Sequence, residues 1–532
     1  MKTTLTLPQF KKTIILFIVG IACTSLAYII YIFNPMNMLL EYSIQMRPNS
    51  LFFTFWKKPP TAINMGIYVF NFTNPVEFLS GKEKLKVQEI GPYVYKEHIK
   101  NDNVTFNDNG TISFITRREV TFVPEMSIND PTKVFINVPN VIMLGASSAL
   151  HDAGFLMNYP FLQLTNILDA QPILNMSVYD YLWGYEDSLV SLASNIMPNF
   201  INFQKFGLMD RMYDEGENII TMYIKKNADM KDEKGRYLSI DKYNGSPGLE
   251  QWGYINTKDN ETRKENTACN ILQGTMDGLL FPPHLDKDAT FRIYRKVFCR
   301  PLPIMYRKEI TAYYGLPGYY YTFMDDFADP PEQNPNNKCY CPSKKICLKK
   351  GLINVTPCYY NIPSAISFPH FLDADPSLLE DIDGLSPDQE KHGSHLILQQ
   401  TTGVPLYIRS RMQTNLVIYH TRYNSKIRPF NDKVIPLFWF DTTLPEAPIK
   451  IIFILKLILQ ILPMMQTILM YLFGIGGVTM IIWSFVHILR VLRQQRKKEQ
   501  EVPRQADFDL RMPLCNGQCT SLTILPTVKK IT

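Results

Sequence analysis

Three spacings that announce catalysis are missing from the 532 residues: His-Glu-x-x-His, Gly-x-Ser-x-Gly and Gly-x-x-x-x-Gly-Lys. Their absence removes the zinc proteases, the α/β-hydrolases and the phosphate-loop enzymes. His392 and His395 stand three residues apart with no evident carboxylate or third ligand, and they read as surface histidines rather than as metal ligands. No catalytic residue, metal or cofactor is expected. A basic surface suited to nucleic acid is missing too. The formal charge is +6, but residues 1 to 12 hold three Lys, and residues 490 to 532 hold nine Lys and Arg against four acids. The chain between them carries −2, so the positive excess is confined to the ends. No internal repeat stands out.

Charge is also absent from Thr13 to Phe33, a run long enough to cross a hydrocarbon core of about 30 Å. Lys2, Lys11 and Lys12 precede it. Ser25-Leu26-Ala27 offers the small residues of a signal-peptidase site, yet Tyr28 to Phe33 continues apolar beyond that point and favours a retained anchor. A second apolar run extends from Ile449 to Leu489, and Pro463 is expected to divide it. Residues 449–466 then form an amphipathic segment near the membrane, and 467–489 the spanning helix. Gly474, Gly476 and Gly477 could admit a close helix neighbour. Arg490, Arg493, Arg496, Lys497 and Lys498 follow directly, and basic residues collect on the cytosolic side. Both tails, 1–12 and 490–532, are therefore assigned to the cytosol.

Residues 34–448 remain as one large domain outside the cytosol. Two signals agree with that side. Seven Asn-x-Ser/Thr sequons, at Asn71, Asn103, Asn109, Asn175, Asn244, Asn260 and Asn354, all fall between the apolar runs. Six of nine cysteines, Cys269, Cys299, Cys339, Cys341, Cys347 and Cys358, lie in 269–358, an even number suited to an oxidising compartment. Fifteen pairings are open to them. Alternating stretches near Gly66, Gly91, Val104–Phe106 and Thr111–Thr116 read as strands, with a positive-φ hairpin turn at Asn109-Gly110. Further strands are expected at 219–225, 396–404, 405–410 and 415–420, and short helices between Pro139 and Gln204. Long regular helices between strands are missing, so the class is α+β with antiparallel pairing.

Several blocks carry a resemblance. They are Asn74-Pro75 with Ile90-Gly-Pro-Tyr-Val-Tyr95, Leu182-Trp-Gly-Tyr-Glu-Asp187, Asn334-Pro-Asn-Asn-Lys-Cys-Tyr-Cys341, Phe368-Pro-His-Phe-Leu372, Ile382-Asp-Gly-Leu385 and Val434-Ile-Pro-Leu-Phe-Trp439. Spread in order from one apolar run to the other, they resemble the class B scavenger receptor family. The resemblance implies a large antiparallel β-barrel-like ectodomain with short helices, an apical helical cap at 139–205, an apolar tunnel, and two transmembrane anchors. It also implies the pairings Cys269–Cys339, Cys299–Cys358 and Cys341–Cys347. Its expected function is uptake of lipids or lipoprotein-type ligands at the plasma membrane, with adhesion or a chemosensory co-receptor role as the alternative. Expected partners are lipids, lipoproteins, carrier proteins, the membrane and a second copy of the chain.

Two other classes share the two-span topology. His151-Asp152-Ala153-Gly154 resembles the Asp-Ala-Gly of ectonucleotidases, but Phe155-Leu156-Met157 follows where hydroxyls would grip phosphate. Ligand-gated channels need a polar lining, and Thr13 to Phe33 offers only Thr, Ser, Cys and Tyr. Pro139 to Gln204 contains no Lys or Arg, against the acids Asp152, Asp169, Asp180, Glu186 and Asp187. Neutral apolar cargo, or a carrier with a basic face, is the expectation, met by Phe155, Leu156, Phe161 and Leu162. The terminal Lys529-Lys530 matches a dilysine retrieval signal. It keeps the endoplasmic reticulum, beside endolysosomal membranes, as an alternative address.

Overall fold

A computed structural model describes residues 7–509 except 200, 214–215, 226–235, 257–264, 313–314, 344–345 and 446–448. Asn260, Lys529 and Lys530 lie outside the described residues. The chain divides into two units, one comprising 1–40 with 457–532 and the other 41–456.

In the first unit, helix Leu7–Phe33 packs along helix Leu462–Asp509. Both are long and apolar enough to cross a membrane. Glycine is required at their crossing. A Cβ on Gly20 would lie 2.9 Å from the carbonyl oxygen of Gly477, and one on Gly477 would lie 2.8 Å from that of Gly20. The backbones meet directly, which is how membrane helices gain dispersion contact where no hydrophobic force drives them together. Gly476 faces open space, so only part of the glycine cluster serves this contact. Thr13 Oγ1 and His487 Nδ1 hydrogen-bond at 3.2 Å, and Gln466 donates to Asn34 Oδ1 at 3.0 Å. Pro463 does not divide the second run as expected. The irregularity falls earlier, in a π-turn at Leu457–Ile461 that runs directly into the helix carrying Pro463, so the helical run bends its hydrogen-bond pattern ahead of the proline instead of ending at it.

The second unit is built on one large antiparallel sheet. From edge to edge its strands are Phe291–Ile293, Leu302–Thr311, Pro317–Phe323, His395–Leu398, Pro405–Val417, Val434–Leu444, Ile63–Phe72, Leu85–Phe106, Thr111–Phe122, Ile219–Tyr223 and Ile240–Tyr243. The stretch expected at 405–410 and the first part of that expected at 415–420 join into one strand, Pro405–Val417, and 418–420 fall outside it. Ile63–Phe72 buries alternate residues, and Phe70, Phe72, Tyr93 and Phe438 are among the largest fully buried side chains. The hairpin between Leu85–Phe106 and Thr111–Phe122 turns at 107–110. Gly110 alone takes the positive φ, +81°, while Asn109 Oδ1 accepts the Thr111 N–H.

The expected barrel does not close. Its edge strands share no ladder, and the irregular Gly274–Met276 segment lies between them. Ile240 N–H donates to Thr275 and Met276 N–H donates to Arg292, at 2.8 Å each. A non-strand segment thus laces the two edges. Residues 139–205 fold into helices Val141–Ala149, Phe155–Ile167, Val178–Trp183 and Ser188–Ile196. Asn140, Ser177 and Asp187 cap three of these by accepting backbone N–H groups. Disulfides join Cys269 to Cys339, Cys299 to Cys358 and Cys341 to Cys347.

Candidate functional site

Period-two alternation turns Ile63 and Met65, Ile408 and Ser410, and Phe440 and Thr442 to one face of three neighbouring strands, and there they border a cavity of about 150 Å³. Helix Leu208–Tyr213 supplies Met209, Met212 and Tyr213 to the same cavity. The helix follows Gly207, where a Cβ would come within 2.5 Å of the Trp183 carbonyl carbon, so only glycine lets the chain pass there.

The charged part of the border comprises Glu97, Arg118, Asp277, Arg295 and Arg409, the last paired with Asp441 at 2.8 Å. Arg118 Nη1 and Glu97 Oε1 lie 2.5 Å apart, and both side chains are nearly buried. Asp277 is buried, and burial pushes its pKa up against the opposing N–H groups of Leu279 and Leu280. Burial likewise lowers the pKa of His395, reinforced by Arg411 and Arg409, and favours the neutral ring. Thr322, Ser394, Ser410 and Thr442 add hydroxyls. Such a site can dissolve an apolar chain or ring whose polar end is uncharged. Its volume sets a limit: a dry cavity of about this size takes a benzene-sized guest. A complete lipid needs more room.

A second apolar cavity, of about 50 Å³, is bordered by Phe206, Leu208, Met212, Thr414, Leu437 and Phe438 among others.

A polar cluster forms where Glu89 of strand Leu85–Phe106 meets His370 of the turn Pro369–Phe371 and His392 of the short helix Gln389–His392. Glu89, His370 and His392 bring their ligand atoms within 4.8 Å of one another. Metal geometry is not what they form. The backbone N–H of Ser386 donates to His370 Nδ1 at 3.1 Å, and that of Asp388 to His392 Nδ1 at 3.0 Å. Each neutral ring therefore carries its proton on Nε2, the atom a metal would need, and Nδ1 has no acceptor to receive it. His370 Nε2 instead donates to Glu89 Oε2 at 2.6 Å, and Trp439 Nε1 donates to the same oxygen at 2.7 Å. Burial works against ionisation of Glu89, but these hydrogen bonds outweigh it and hold the pKa below the usual carboxylate range. Desolvation and the neighbouring His370 lower His392 to about 4. His392 is only 4% exposed, which corrects its reading as a surface histidine.

The four expected cargo-contacting residues all lie on helix Phe155–Ile167, and none borders either cavity. Phe155 is 54% and Leu156 86% exposed, while Phe161 and Leu162 are half-buried and Phe161 packs on the main core. Asn103, Asn109, Asn175 and Asn244 are exposed, and Asn71 is half-buried. Asn354 differs. It is 4% exposed, and its Nδ2 donates to the Tyr340 carbonyl at 2.9 Å, leaving no room for a glycan in the folded chain. The cavity-lining methionines escaped sequence reasoning, because apolar residues facing a void alternate as those facing a filled core do.

The sequence model of a family described as CD36 family matches residues 14–488. Scavenger receptor class B member 1 of Sus scrofa is 29% identical over 425 residues, covering 79% of each chain. Lysosome membrane protein 2 of Homo sapiens is 29% identical over 388 residues, 72% of this chain and 75% of the relative. Sensory neuron membrane protein 1 of Manduca sexta is 29% identical over 415 residues, 73% of each chain.

Proposed function

This chain belongs to the CD36 family, and from that premise we propose that its ectodomain accepts neutral apolar cargo from lipids, lipoproteins or carrier proteins and passes it through the interior of the sheet to the membrane. The coarser statement, a two-span membrane glycoprotein of scavenger-receptor type, follows from the family and the two apolar helices. The observation that carries the finer reading is the 150 Å³ apolar cavity within the sheet domain. Moving apolar surface from water into such a site gains about 25 cal/mol per Å². No covalent step is needed, and the flow follows the concentration gradient.

Residues 139–205 serve in this reading as the cap on which carriers dock. The exposed Phe155, Leu156, Met157 and Tyr159 supply an apolar contact, and the absence of Lys and Arg from 139–204 favours neutral ligands or a basic carrier. The plasma membrane is the proposed address, with both tails cytosolic. An endolysosomal address is the alternative suggested by the lysosomal relative.

Native mass spectrometry with lipid extraction on the full-length chain in detergent tests the reading. Stoichiometric apolar cargo, depleted when Phe155 and Leu156 are both replaced by Asp, is the expected result. A folded chain that holds no cargo under any loading would transfer the proposal to adhesion or co-receptor function.

A further inference from the structure

The two cavities lie along one ladder. Strands Pro405–Val417 and Val434–Leu444 pair Thr414 with Phe438, Met412 with Phe440, and Ser410 with Thr442. The first pair borders the 50 Å³ cavity and the third borders the 150 Å³ cavity, with Phe440 of the middle pair also on the larger one. Alternate residues of a strand share a face, so these pairs follow one another over about 13 Å of a single sheet surface. Met212 is the one residue that borders both cavities among the described residues.

We propose that Met212 is the partition of a single conduit and sets the length of apolar cargo that the ectodomain accepts. The assignment rests on the apolar-cargo reading above. The short helix that carries Met212 is pinned on either side of it. The Arg211 guanidinium lies over the Phe203 ring at 4.1 Å, and Tyr213 Oη donates to Met65 Sδ at 3.4 Å. Met212 itself is half-buried and unbranched, with three rotatable bonds. Its thioether can therefore swing while the helix backbone stays in place. With the side chain across the passage, the larger cavity holds a short guest. With it aside, the guest continues over Phe440 to Phe438 and Thr414. This lengthens the space open to an apolar chain without moving a strand.

The test uses full-length protein in detergent and straight-chain 1-alkanols of increasing length as probes, with affinity read by native mass spectrometry. Each methylene that finds room should tighten binding about four-fold, until the available space is filled and affinity levels off. Met212→Ala is expected to move that levelling to longer alkanols, Met212→Trp to shorter ones, and Met212→Leu to leave it unchanged. Should Met212→Ala not fold, the comparison of Met212→Trp with Met212→Leu decides the question. A levelling point that is the same in every folded variant overturns the partition while leaving the cargo reading intact. No alkanol binding by the native chain overturns both.

Discussion

The shifts of His392 and Glu89 predict that acid destabilises the sheet domain, and they set the sign. Unfolding returns His392 from about 4 to its ordinary value near 6.5, so the unfolded chain takes up a proton first as the pH falls. Its contribution to stability is whole above about pH 6.5 and declines toward pH 4. Glu89, held below its ordinary value, acts in the same direction at lower pH. The melting temperature of the native chain should therefore fall between pH 7 and pH 4.5, and that of His392→Gln should fall less. Equal slopes would refute the assignment. Asn354 gives a second test at this scale. Gln at Asn103, Asn109, Asn175 or Asn244 should each remove one glycan step on a gel, whereas Asn354→Gln should leave mobility unchanged and lower stability, because it loses the bond to Tyr340. The sequence named these asparagines but could not tell buried from exposed. Neither could it join His392 to Glu89, which reach each other only through the long-range pairing of the sheet.

Among the elements, the disulfides and the helix crossing carry the clearest magnitudes. Cys299–Cys358 closes a separation of 59 residues and Cys341–Cys347 one of 6. If each bond acts by restricting the unfolded chain, their removal should cost about 4 and about 2 kcal/mol respectively, measurable by denaturant titration of double Ser variants. Similar losses for both would mean that native packing, not loop closure, dominates. In the other unit, Gly477→Leu should force the backbones apart. Cysteines placed at Thr13 and His487 would then cross-link efficiently in the native background and poorly in the Gly477→Leu background, the readout being band shift under oxidation. The hairpin at 107–110 was legible from Asn109-Gly110 because turn chemistry is local. The π-turn was not, since Pro463 announces a disturbance without fixing which side of it the helix yields on.

At the scale of the whole molecule, composition and family blocks were enough to find two membrane helices and an α+β domain with antiparallel pairing. Closure was another matter. Whether a sheet's edges meet depends on strand register and twist, which alternation does not encode, and here the Gly274–Met276 lace stands where a ladder was expected. The order of the sheet also has a bearing on biosynthesis. Ile63–Phe72 pairs on one side with its neighbour in sequence, Leu85–Phe106, and on the other with Val434–Leu444, the last strand of the domain. At ordinary ribosomal speeds that partner is synthesised roughly 20 to 70 s later. For that interval the nascent chain presents an open β edge, the kind of surface that invites pairing with another chain. All six disulfide cysteines also emerge after Gly253, so no covalent clamp protects the early strands. Chaperone cover during translation is the expected consequence. Truncations that end before Val434 should be retained and degraded, however well their own strands are formed.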